Sequence, residues 1–325
     1  MSAGASRWAA LAVLAAVGVA RGGEPSAAAP AAGPAAGVFA HDPTFVSSGG
    51  VGHVFFTGKG IQALRTTDGG ATWTPAPPVI RDFPGWWSDA VPEHVTLDVW
   101  APDVSAYRGR VRLLYAISTF GTNASAIGQL SAETPDGPWR DDGLVIRSTP
   151  RDDWNAIDPE LALDEAGAPW LAFGSFWSGI QLVPLDPATL RPAGPRTVLA
   201  ARPEGIEAPA LSRHGGYHYL FVSVGRCCRG VESTYRILVG RSRVITGPYL
   251  DRSGKDLRAG GGESVIEGDA RWKGPGGQDV VGDDLLVFHA YDATDGGKPK
   301  LRIARLSWDA EGWPALAPAP ASPAP

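Results

Sequence analysis

The chain has 325 residues and a formal net charge of -5 at pH 7, with no long basic run, so a nucleic-acid scaffold is excluded as a class. Its 42 Gly and 29 Pro favour many turns and short strands over long helices. Its 12 Trp supply rings that suit both core packing and the faces of sugars. The composition therefore indicates a strand-rich globular protein.

The N-terminus predicts export. Arg7 precedes an apolar run from Trp8 to Ala20 that ends in small residues, as signal peptides do. The run is too short for a comfortable membrane span. We therefore predict a signal peptide over residues 1–21, an Ala/Pro-rich linker over 22–37 and a low-complexity tail over 315–325. The mature protein is expected to be secreted, periplasmic or extracellular, without a membrane attachment.

Between these ends the chain repeats one pattern: an acidic residue beside a proline, an apolar strand, a polar turn and an aromatic-rich strand. The landmarks are Asp42, Asp103, Asp158, Glu207 and, without the proline, Asp279; they are separated by 61, 55, 49 and 72 residues. Each interval has room for one four-stranded sheet, which predicts an all-β fold, a five-bladed β-propeller over residues 38–314. A β-sandwich or a β-helix is the alternative, but neither explains an acid at the same point of each repeat.

Three of these acids predict chemistry. The inner strands of all blades line one channel, so Asp42, Asp158 and Glu207 are expected to meet at its mouth. Like charges in a partly desolvated site raise one another's pKa, which keeps one acid protonated near neutral pH. Glycoside hydrolysis requires one such acid and one carboxylate that activates water. A lone Asp beside a proline is more often a turn cap, but three at matched places favour a glycosidase.

The two cysteines, Cys227 and Cys228, are adjacent and cannot link distant parts of the fold. A vicinal disulfide and a pair of reduced, buried thiols are both compatible with this spacing. We expect the reduced thiols.

Eight motifs occur in order between His41 and Pro314: HDPTFV, WAPDV, NAIDPE, GSFWSGIQL, GIEAPAL, CCRGVESTY, GRSRVITGPY and FHAYD. The ordered set resembles glycoside hydrolase family 43, above all its endo-1,5-α-L-arabinanases. The resemblance implies an inverting glycosidase that cleaves internal 1,5-α-L-arabinofuranosidic bonds of arabinan, a plant cell-wall polysaccharide. We also expect the protein to act as a monomer.

The resemblance assigns the general base to Asp42, the general acid to Glu207, and to Asp158 the tuning and orientation of that acid. Inversion implies that base and acid stand roughly 6.5–9.5 Å apart. Besides Asp42 and Asp158, the implied substrate contacts are Phe120, Gly121, Asn155, Ala156, Ile157, Ser175, Phe176 and Trp177. A core position explains Phe120 equally well. Trp100 is a further candidate for the cleft wall, and Asp103 is expected to be structural.

His289 lies in the apolar strand LLVFHAYD, where a histidine is usually a core residue. The resemblance implies instead that it holds a metal, a single Ca²⁺ at the propeller centre, although calcium prefers oxygen ligands. The other five histidines show no ligand spacing, and His41 is expected to support Asp42. Gly277 follows Gly-Pro-Gly where many relatives carry histidine, so the residues around the central site are expected to differ.

Two other functions compete with this interpretation. An exo-acting α-L-arabinofuranosidase or β-xylosidase of the same family would use the same carboxylates, but its loops would close the groove into a pocket. The strings STFGTN, from Ser118 to Asn123, and CCRGVESTY favour the endo enzyme. A carbohydrate-binding propeller without activity would not need three converging acids. A sialidase would carry several Asp-boxes, whereas only TTDGGATW, from Thr66 to Trp73, resembles one.

Overall fold

A computed structural model describes residues 33–317, with residues 33–36 described by their backbone alone. Nearly all regular structure in this range is antiparallel β-sheet. The exceptions are one short helix, α1 (Trp86–Ala90), and the 3₁₀ turns Gly230–Glu232, Leu257–Ala259 and Ala293–Asp295. The predicted signal peptide lies outside the described residues. Within them, no helix has the length and apolarity needed to cross a membrane.

The strands form five sheets, which are the blades of a propeller. Blade 1 contains β2 (Thr44–Ser48), β3 (Val51–Phe56), β5 (Gln62–Thr66) and β6 (Thr74–Ala76). Blade 2 contains β7 (Asp98–Tyr107), β8 (Arg110–Ile117), β9 (Ser125–Ala132) and β10 (Arg140–Ser148), with the short β4 (Gly58–Lys59) beside β7. Blade 3 contains β11 (Glu160–Leu163), β12 (Pro169–Phe173), β13 (Ile180–Pro184) and β14 (Thr197–Ala200). Blade 4 contains β15 (Ile206–His214), β16 (Tyr217–Val224), β17 (Arg236–Ser242) and β18 (Glu263–Ile266).

Blade 5 joins the two ends of the described chain. Its strands are β19 (Trp272–Val281), β20 (Leu285–Asp292), β21 (Lys298–Trp308) and, on the outside, β1 (Gly33–Phe39). The last strand, β22 (Pro314–Leu316), also pairs with β21. Residues 33–37 therefore belong to a sheet and not to the predicted linker, and β22 extends into the predicted tail. Pairing of β1 with β21 ties the first described strand to the last blade, which closes the ring.

The first strands of the five blades contact one another in a closed ring, from β2 through β7, β11, β15 and β19 back to β2. Among the described residues, five hydrophobic clusters lie between neighbouring blades, one for each interface of the ring. The five-bladed propeller expected from the sequence is thus confirmed. A closed ring of packed blades holds the channel-lining residues in place from both sides.

Strand β8 illustrates why both faces of a blade are apolar. Side chains alternate between the faces of a strand. Leu113, Tyr115 and Ile117 pack into the interface with blade 1, whereas Leu114 and Ala116 pack into the interface with blade 3. All five are fully buried. A strand covered on both faces is a continuous apolar run, as RVRLLYAI is from Val111 onward apart from Arg112.

The Asp-box predicted at Thr66–Trp73 is the turn between β5 and β6. Asp68 Oδ1 accepts hydrogen bonds from the Thr72 amide at 2.9 Å and from Thr66 Oγ1 at 2.8 Å. Thr66 Oγ1 in turn accepts the Gly70 amide at 2.9 Å. These bonds pair the turn's backbone groups locally, so the box stabilises a hairpin remote from the channel mouth.

Candidate active site

Each blade presents one residue with left-handed backbone geometry at the channel mouth. These are Asp42, Ala101, Asp158, Ala208 and Gly277, with φ of 48°, 38°, 54°, 52° and 57° respectively. The conformation costs a non-glycine residue about 1–2 kcal/mol and is concentrated at functional sites. A cavity of about 30 Å³ at the axis is lined by all five, which is room enough for a water molecule. The five positions form the upper ring of the channel.

The acids of the repeats do not all occupy this upper ring, contrary to the sequence expectation. Asp42 and Asp158 do, but Glu207 precedes its ring residue, Ala208, by one position. Asp103 and Asp279 follow theirs by two positions. The reason is that acids occur in two layers of the channel. The spacing of the acids in the sequence does not show to which layer each one belongs.

The lower layer joins neighbouring blades through hydrogen bonds. Asp103 Oδ2 accepts the Leu161 amide of blade 3 at 2.9 Å, and Asp279 Oδ2 accepts the Phe45 amide of blade 1 at 2.9 Å. Glu160 Oε1 accepts the Leu211 amide of blade 4 in the same manner at 3.3 Å. These three carboxylates lie within 4.8 Å of one another. The prediction that Asp103 has a structural role fits its position in this layer.

Asp42 is held by two side chains. Its Oδ2 accepts hydrogen bonds from Thr57 Oγ1 and from His41 Nδ1, each at 2.7 Å. The other ring nitrogen of His41 is 2.9 Å from Tyr291 Oη. The expected support of Asp42 by His41 is therefore present, and Thr57 adds a contact that the sequence did not indicate.

The charge on Asp42 is stabilised by these neighbours. Burial would raise the pKa of its carboxyl, but the positive charge and hydrogen bond of His41, followed by His289 and Thr57, lower it to about 2. Burial also opposes protonation of His41, yet the Asp42 carboxylate outweighs it and raises the pKa of the imidazole. Asp42 is consequently an ionised carboxylate at the channel mouth, which is the state that a base needs.

Glu207 is in the opposite state. Only 8% of the residue is exposed, and burial, reinforced by the charge of Asp42, raises the pKa of its carboxyl to about 7 against the hydrogen bond from Ser175. Ser175 Oγ donates to Oε2 at 2.6 Å, and the Tyr235 hydroxyl donates to Oε1. Two titratable groups whose environments move their pKa values apart are the mark of an acid–base pair.

Asp158 lies beside this pair. Burial, and then the charges of Glu207 and Asp42, raise the pKa of its carboxyl well above the usual range. Its Oδ2 accepts the amide of Ala208, the residue after the predicted acid, at 2.9 Å. Asp158 is therefore coupled to Glu207 both through charge and through the backbone that carries Glu207. The three acids selected from the sequence meet at one site.

The predicted substrate-binding residues differ in exposure. Phe120 is 80% exposed and Trp177 46% exposed, so neither is the core residue that its type would suggest. Phe176 is also partly exposed, and its amide donates to the carbonyl of Ile206 at 2.9 Å. The loop with Phe176 and Trp177 is thus attached to the strand of the predicted acid.

The NAID segment is less accessible. Asn155 is buried, and its Oδ1 accepts a hydrogen bond from Ser125 Oγ at 2.7 Å. Ala156 and Ile157 are also buried and pack in the core between blades 2 and 3. Trp100 packs against the same core. Gly121 has φ +84° and open space around its Cα hydrogen. Substrate contacts by these residues stay predictions.

His289 has a nitrogen available for a ligand. The residue is fully buried, its Nε2 has no hydrogen-bond partner among residues 37–317, and its ring stacks on His41 with centroids 3.9 Å apart. Its Nδ1 accepts a hydrogen bond from the Asp42 amide at 3.1 Å and lies 3.5 Å from Asp42 Oδ1. Burial, with the neighbouring His41 adding to it, lowers the pKa of His289 well below the usual value, so the ring is neutral. Because Nδ1 accepts the Asp42 amide, the neutral ring carries its proton on Nε2. A cation at Nε2 would require that proton to move to Nδ1, beside Asp42 Oδ1, and the unpartnered Nε2 is the atom that would hold the cation. Single ligand atoms of His41, Asp42 and His289 lie within 4.8 Å of one another, but both ring nitrogens of His41 already have protein partners.

The expectation of reduced, buried thiols is wrong. Cys227 and Cys228 form a vicinal disulfide, and Cys228 is exposed. The Cys228 amide donates to Tyr291 Oη at 2.8 Å, and Cys228 Sγ lies 3.9 Å from His41 Nε2. The disulfide therefore lies on the rim of the site, next to the histidine that supports Asp42, and not in the core.

Sequence reasoning did not assign roles to Thr57, Tyr235 and Tyr291, which contact the predicted base, the predicted acid and His41. Tyr235 ends the motif CCRGVESTY and Tyr291 lies in the motif FHAYD. The motifs therefore include both residues but do not show which groups they contact. Thr57 follows β3 in a run of apolar residues, and nothing in its local sequence indicates a contact with Asp42.

Comparisons with known proteins agree with this geometry. Residues 33–314 match the sequence profile described as glycosyl hydrolases family 43. The extracellular endo-α-(1→5)-L-arabinanase 1 of Bacillus subtilis (strain 168) is 49% identical over 282 residues, which cover 84% of this chain and 86% of the relative. An extracellular exo-α-(1→5)-L-arabinofuranosidase of Cellvibrio japonicus (strain Ueda107) is 42% identical over 297 residues, covering 84% and 85%.

Solved structures give the same result for the fold. A GH43 endo-arabinanase from Bacillus licheniformis superposes with a TM-score of 0.84 at 49% identity, over 88% of this chain and 99% of that one. An α-L-arabinanase of Cellvibrio cellulosa, solved with arabinohexaose, superposes with a TM-score of 0.82 at 40% identity, over 86% and 96%. Since the family profile spans the whole propeller and the relatives are similar over nearly all of their length, this chain belongs to family 43 of the glycosyl hydrolases.

Proposed function

We propose that the protein is an inverting glycosidase that hydrolyses internal α-1,5-L-arabinofuranosidic bonds of arabinan. One observation carries the proposal: Asp42 and Glu207 face the same channel mouth with pKa values of about 2 and about 7. Between these values one carboxyl is ionised and the other protonated, as hydrolysis of a glycosidic bond requires. Family membership and the arabinanases among the relatives support the substrate.

In this mechanism Asp42 takes a proton from a water molecule, which attacks the anomeric carbon on the face opposite the leaving group. Glu207 gives its proton to the glycosidic oxygen in the same step, so the configuration is inverted. Asp158 holds the backbone next to Glu207 through the Ala208 amide. Burial and the charge of Asp42 disfavour ionisation of the acid. Thr57 and His41 keep Asp42 ionised and oriented.

The exposed rings of Phe120, Phe176 and Trp177 suit an arabinan chain that runs across the mouth, since aromatic faces bind the apolar faces of sugars. An exo enzyme is the second candidate, because one relative is named an exo-arabinofuranosidase. The higher identity to an endo-arabinanase over the same share of the chain supports endo action.

Product analysis on linear 1,5-α-arabinan distinguishes these candidates. We expect a ladder of oligosaccharides at early times, whose new reducing ends NMR detects first as the inverted anomer. Glu207→Gln and Asp42→Asn should each abolish the ladder. Arabinose as the sole early product would replace the endo assignment with an exo enzyme. Binding of arabinan without hydrolysis would leave a carbohydrate-binding propeller.

We also propose that His289 Nε2 binds a single divalent cation, calcium, whose other ligands are waters. The support is a buried nitrogen without a protein partner next to the ionised Asp42. A bound cation would add positive charge beside that carboxylate. Isothermal calorimetry with Ca²⁺, and the melting temperature with and without chelator, test the proposal. Wild-type protein should bind one ion and His289→Gln none; equal behaviour of the two would refute it.

Finally, we propose that the mature protein is secreted and acts as a monomer. The apolar N-terminal run and the extracellular relatives support secretion. Immunoblots of medium, periplasm and cytosol should find the processed chain outside the cytosol. Light scattering should give the mass of one chain; a dimer mass would contradict the monomer.

A further inference from the structure

Tyr235 contacts the predicted acid, Glu207, and has no role in the mechanism proposed above. It directly precedes β17, is 5% exposed, and donates its hydroxyl proton to Glu207 Oε1. A buried tyrosine hydroxyl needs a polar partner, and here that partner is the group whose proton the reaction consumes.

The ring of Tyr235 is fixed by the neighbouring blade. A Cβ added to Gly276 of β19 would lie 2.3 Å from Tyr235 Cδ2, so only a glycine there leaves room for the ring. On the other side, the loop that precedes Tyr235 is closed by a backbone pair between Arg226 and Thr234: the Thr234 amide donates to the Arg226 carbonyl at 3.0 Å. The hydroxyl is therefore directed at Glu207 by the packing between blades 4 and 5.

The two oxygens of Glu207 have different surroundings. Oε1 accepts the hydroxyl of Tyr235 inside the protein, whereas Oε2 accepts the hydroxyl of Ser175. Ser175 belongs to the loop that carries the exposed Phe176 and Trp177. Each oxygen therefore accepts one buried hydroxyl, and Oε2 is the one bonded to the loop with the exposed rings.

We propose that Tyr235 is a positioning residue for Glu207, which holds the carboxyl in place and strengthens the acid as it ionises. The proposal rests on the proposed role of Glu207 as general acid. A hydroxyl that donates to a carboxylate favours the ionised form, and the bond is charge-assisted once the proton has left Glu207. The stabilisation is therefore greater in the transition state than in the ground state, as catalysis requires.

The test compares Tyr235→Phe with a matched control, Tyr249→Phe. Both hydroxyls are buried, but that of Tyr249 donates to the backbone carbonyl of Ile245 at 2.9 Å, away from the acids. The substrates are aryl 1,5-α-arabinobiosides with phenols of graded acidity, together with linear arabinan. A weakened acid slows the poor leaving groups most, because acidic phenols depart without a proton.

For Tyr235→Phe we expect kcat/KM to fall roughly 10- to 100-fold on arabinan, the range of losing part of general acid catalysis, and to change by less than about threefold on the most acidic phenol. The alkaline limb of the pH profile should move to higher pH, because the lost donor no longer favours the ionised acid. Tyr249→Phe should leave kcat/KM and the alkaline limb unchanged. Gly276→Ala, which displaces the ring, should reproduce the leaving-group dependence.

An equal loss on all leaving groups would mean that Tyr235 only maintains the fold, and no loss would mean that its hydroxyl does not act on Glu207; either result overturns the proposal. A ¹³C NMR titration of the Glu207 carboxyl tests the contact without turnover. Its midpoint should rise in Tyr235→Phe and not in Tyr249→Phe, and an unchanged midpoint would also overturn the proposal. Wild-type protein that hydrolyses none of the substrates would refute the proposed function, while the titration still decides the role of Tyr235.

Discussion

Gly277 is the upper-ring residue of blade 5, and its lack of a side chain leaves room for Asp42 and His289. A Cβ at this position would lie 2.3 Å from Asp42 Oδ1 and 2.8 Å from His289 Nδ1. We therefore expect Gly277→Ala to damage catalysis far more than stability. A histidine, as many relatives carry here, would clash in the same way, so in this chain Gly277 and the position of Asp42 depend on each other.

The magnitude follows from two separate costs. The left-handed backbone, with φ +57°, penalises alanine by about 1–2 kcal/mol, which lowers the melting temperature of a domain of this size by only a few degrees. To regain ordinary contact with the new methyl group, Asp42 must move by roughly 1 Å, and a shift of that size costs about 100-fold in rate. Activity should therefore fall about 100-fold in a protein that remains folded.

Gly282→Ala separates these costs. Gly282 follows the same strand, has φ +68°, and has no heavy atom within 4 Å of an added Cβ. An alanine at this position therefore has the backbone penalty without a steric clash. The assay is kcat on linear arabinan together with thermal unfolding of both variants. Full activity of Gly277→Ala, or an equal loss in both variants, would refute the reasoning from contact distances.

Three further predictions concern the pH profile, the support of the base and the cleft wall. The rate should fall as pH rises through about 7, where Glu207 loses its proton, and should persist down to the pKa of Asp42 near 2 while the protein stays folded; a profile of kcat/KM without an alkaline limb near 7 would contradict this. Thr57→Val removes a donor to Asp42 and an acceptor for the Ala101 amide, so unfolding should cost about 1–3 kcal/mol less and the acidic limb should move to higher pH. An acidic limb at the wild-type pH would argue against the hydrogen bond from Thr57 to Asp42. Trp177→Ala should raise KM about 3- to 10-fold, the worth of one aromatic contact, with a change in melting temperature below about 2 °C, as at exposed sites. A large loss of stability with unchanged KM would make Trp177 structural.

The sequence by itself determined the propeller and the three acids. Repeats about 50 to 70 residues apart indicated five blades because each blade is a local unit of adjacent strands, whose turns and alternation are encoded within its own segment. Asp42, Asp158 and Glu207 were identified because each lies in a distinctive motif, HDP, NAIDP or GIEAP. Such features need no knowledge of distant residues.

Only the tertiary structure decided how the acids are layered and what holds them. Closure of the ring brings Asp42 beside His289, 247 residues away, and His41 beside Tyr291, 250 residues away. It also separates the upper ring from the lower layer of Asp103, whose motif looked equivalent. Hydrogen bonds between blades depend on that closure, as do the burial and neighbouring charges that lower one carboxyl pKa and raise another. A local motif encodes neither these hydrogen bonds nor this burial. The sequence therefore identified the acids, but it did not predict their protonation states or the residues that hold them.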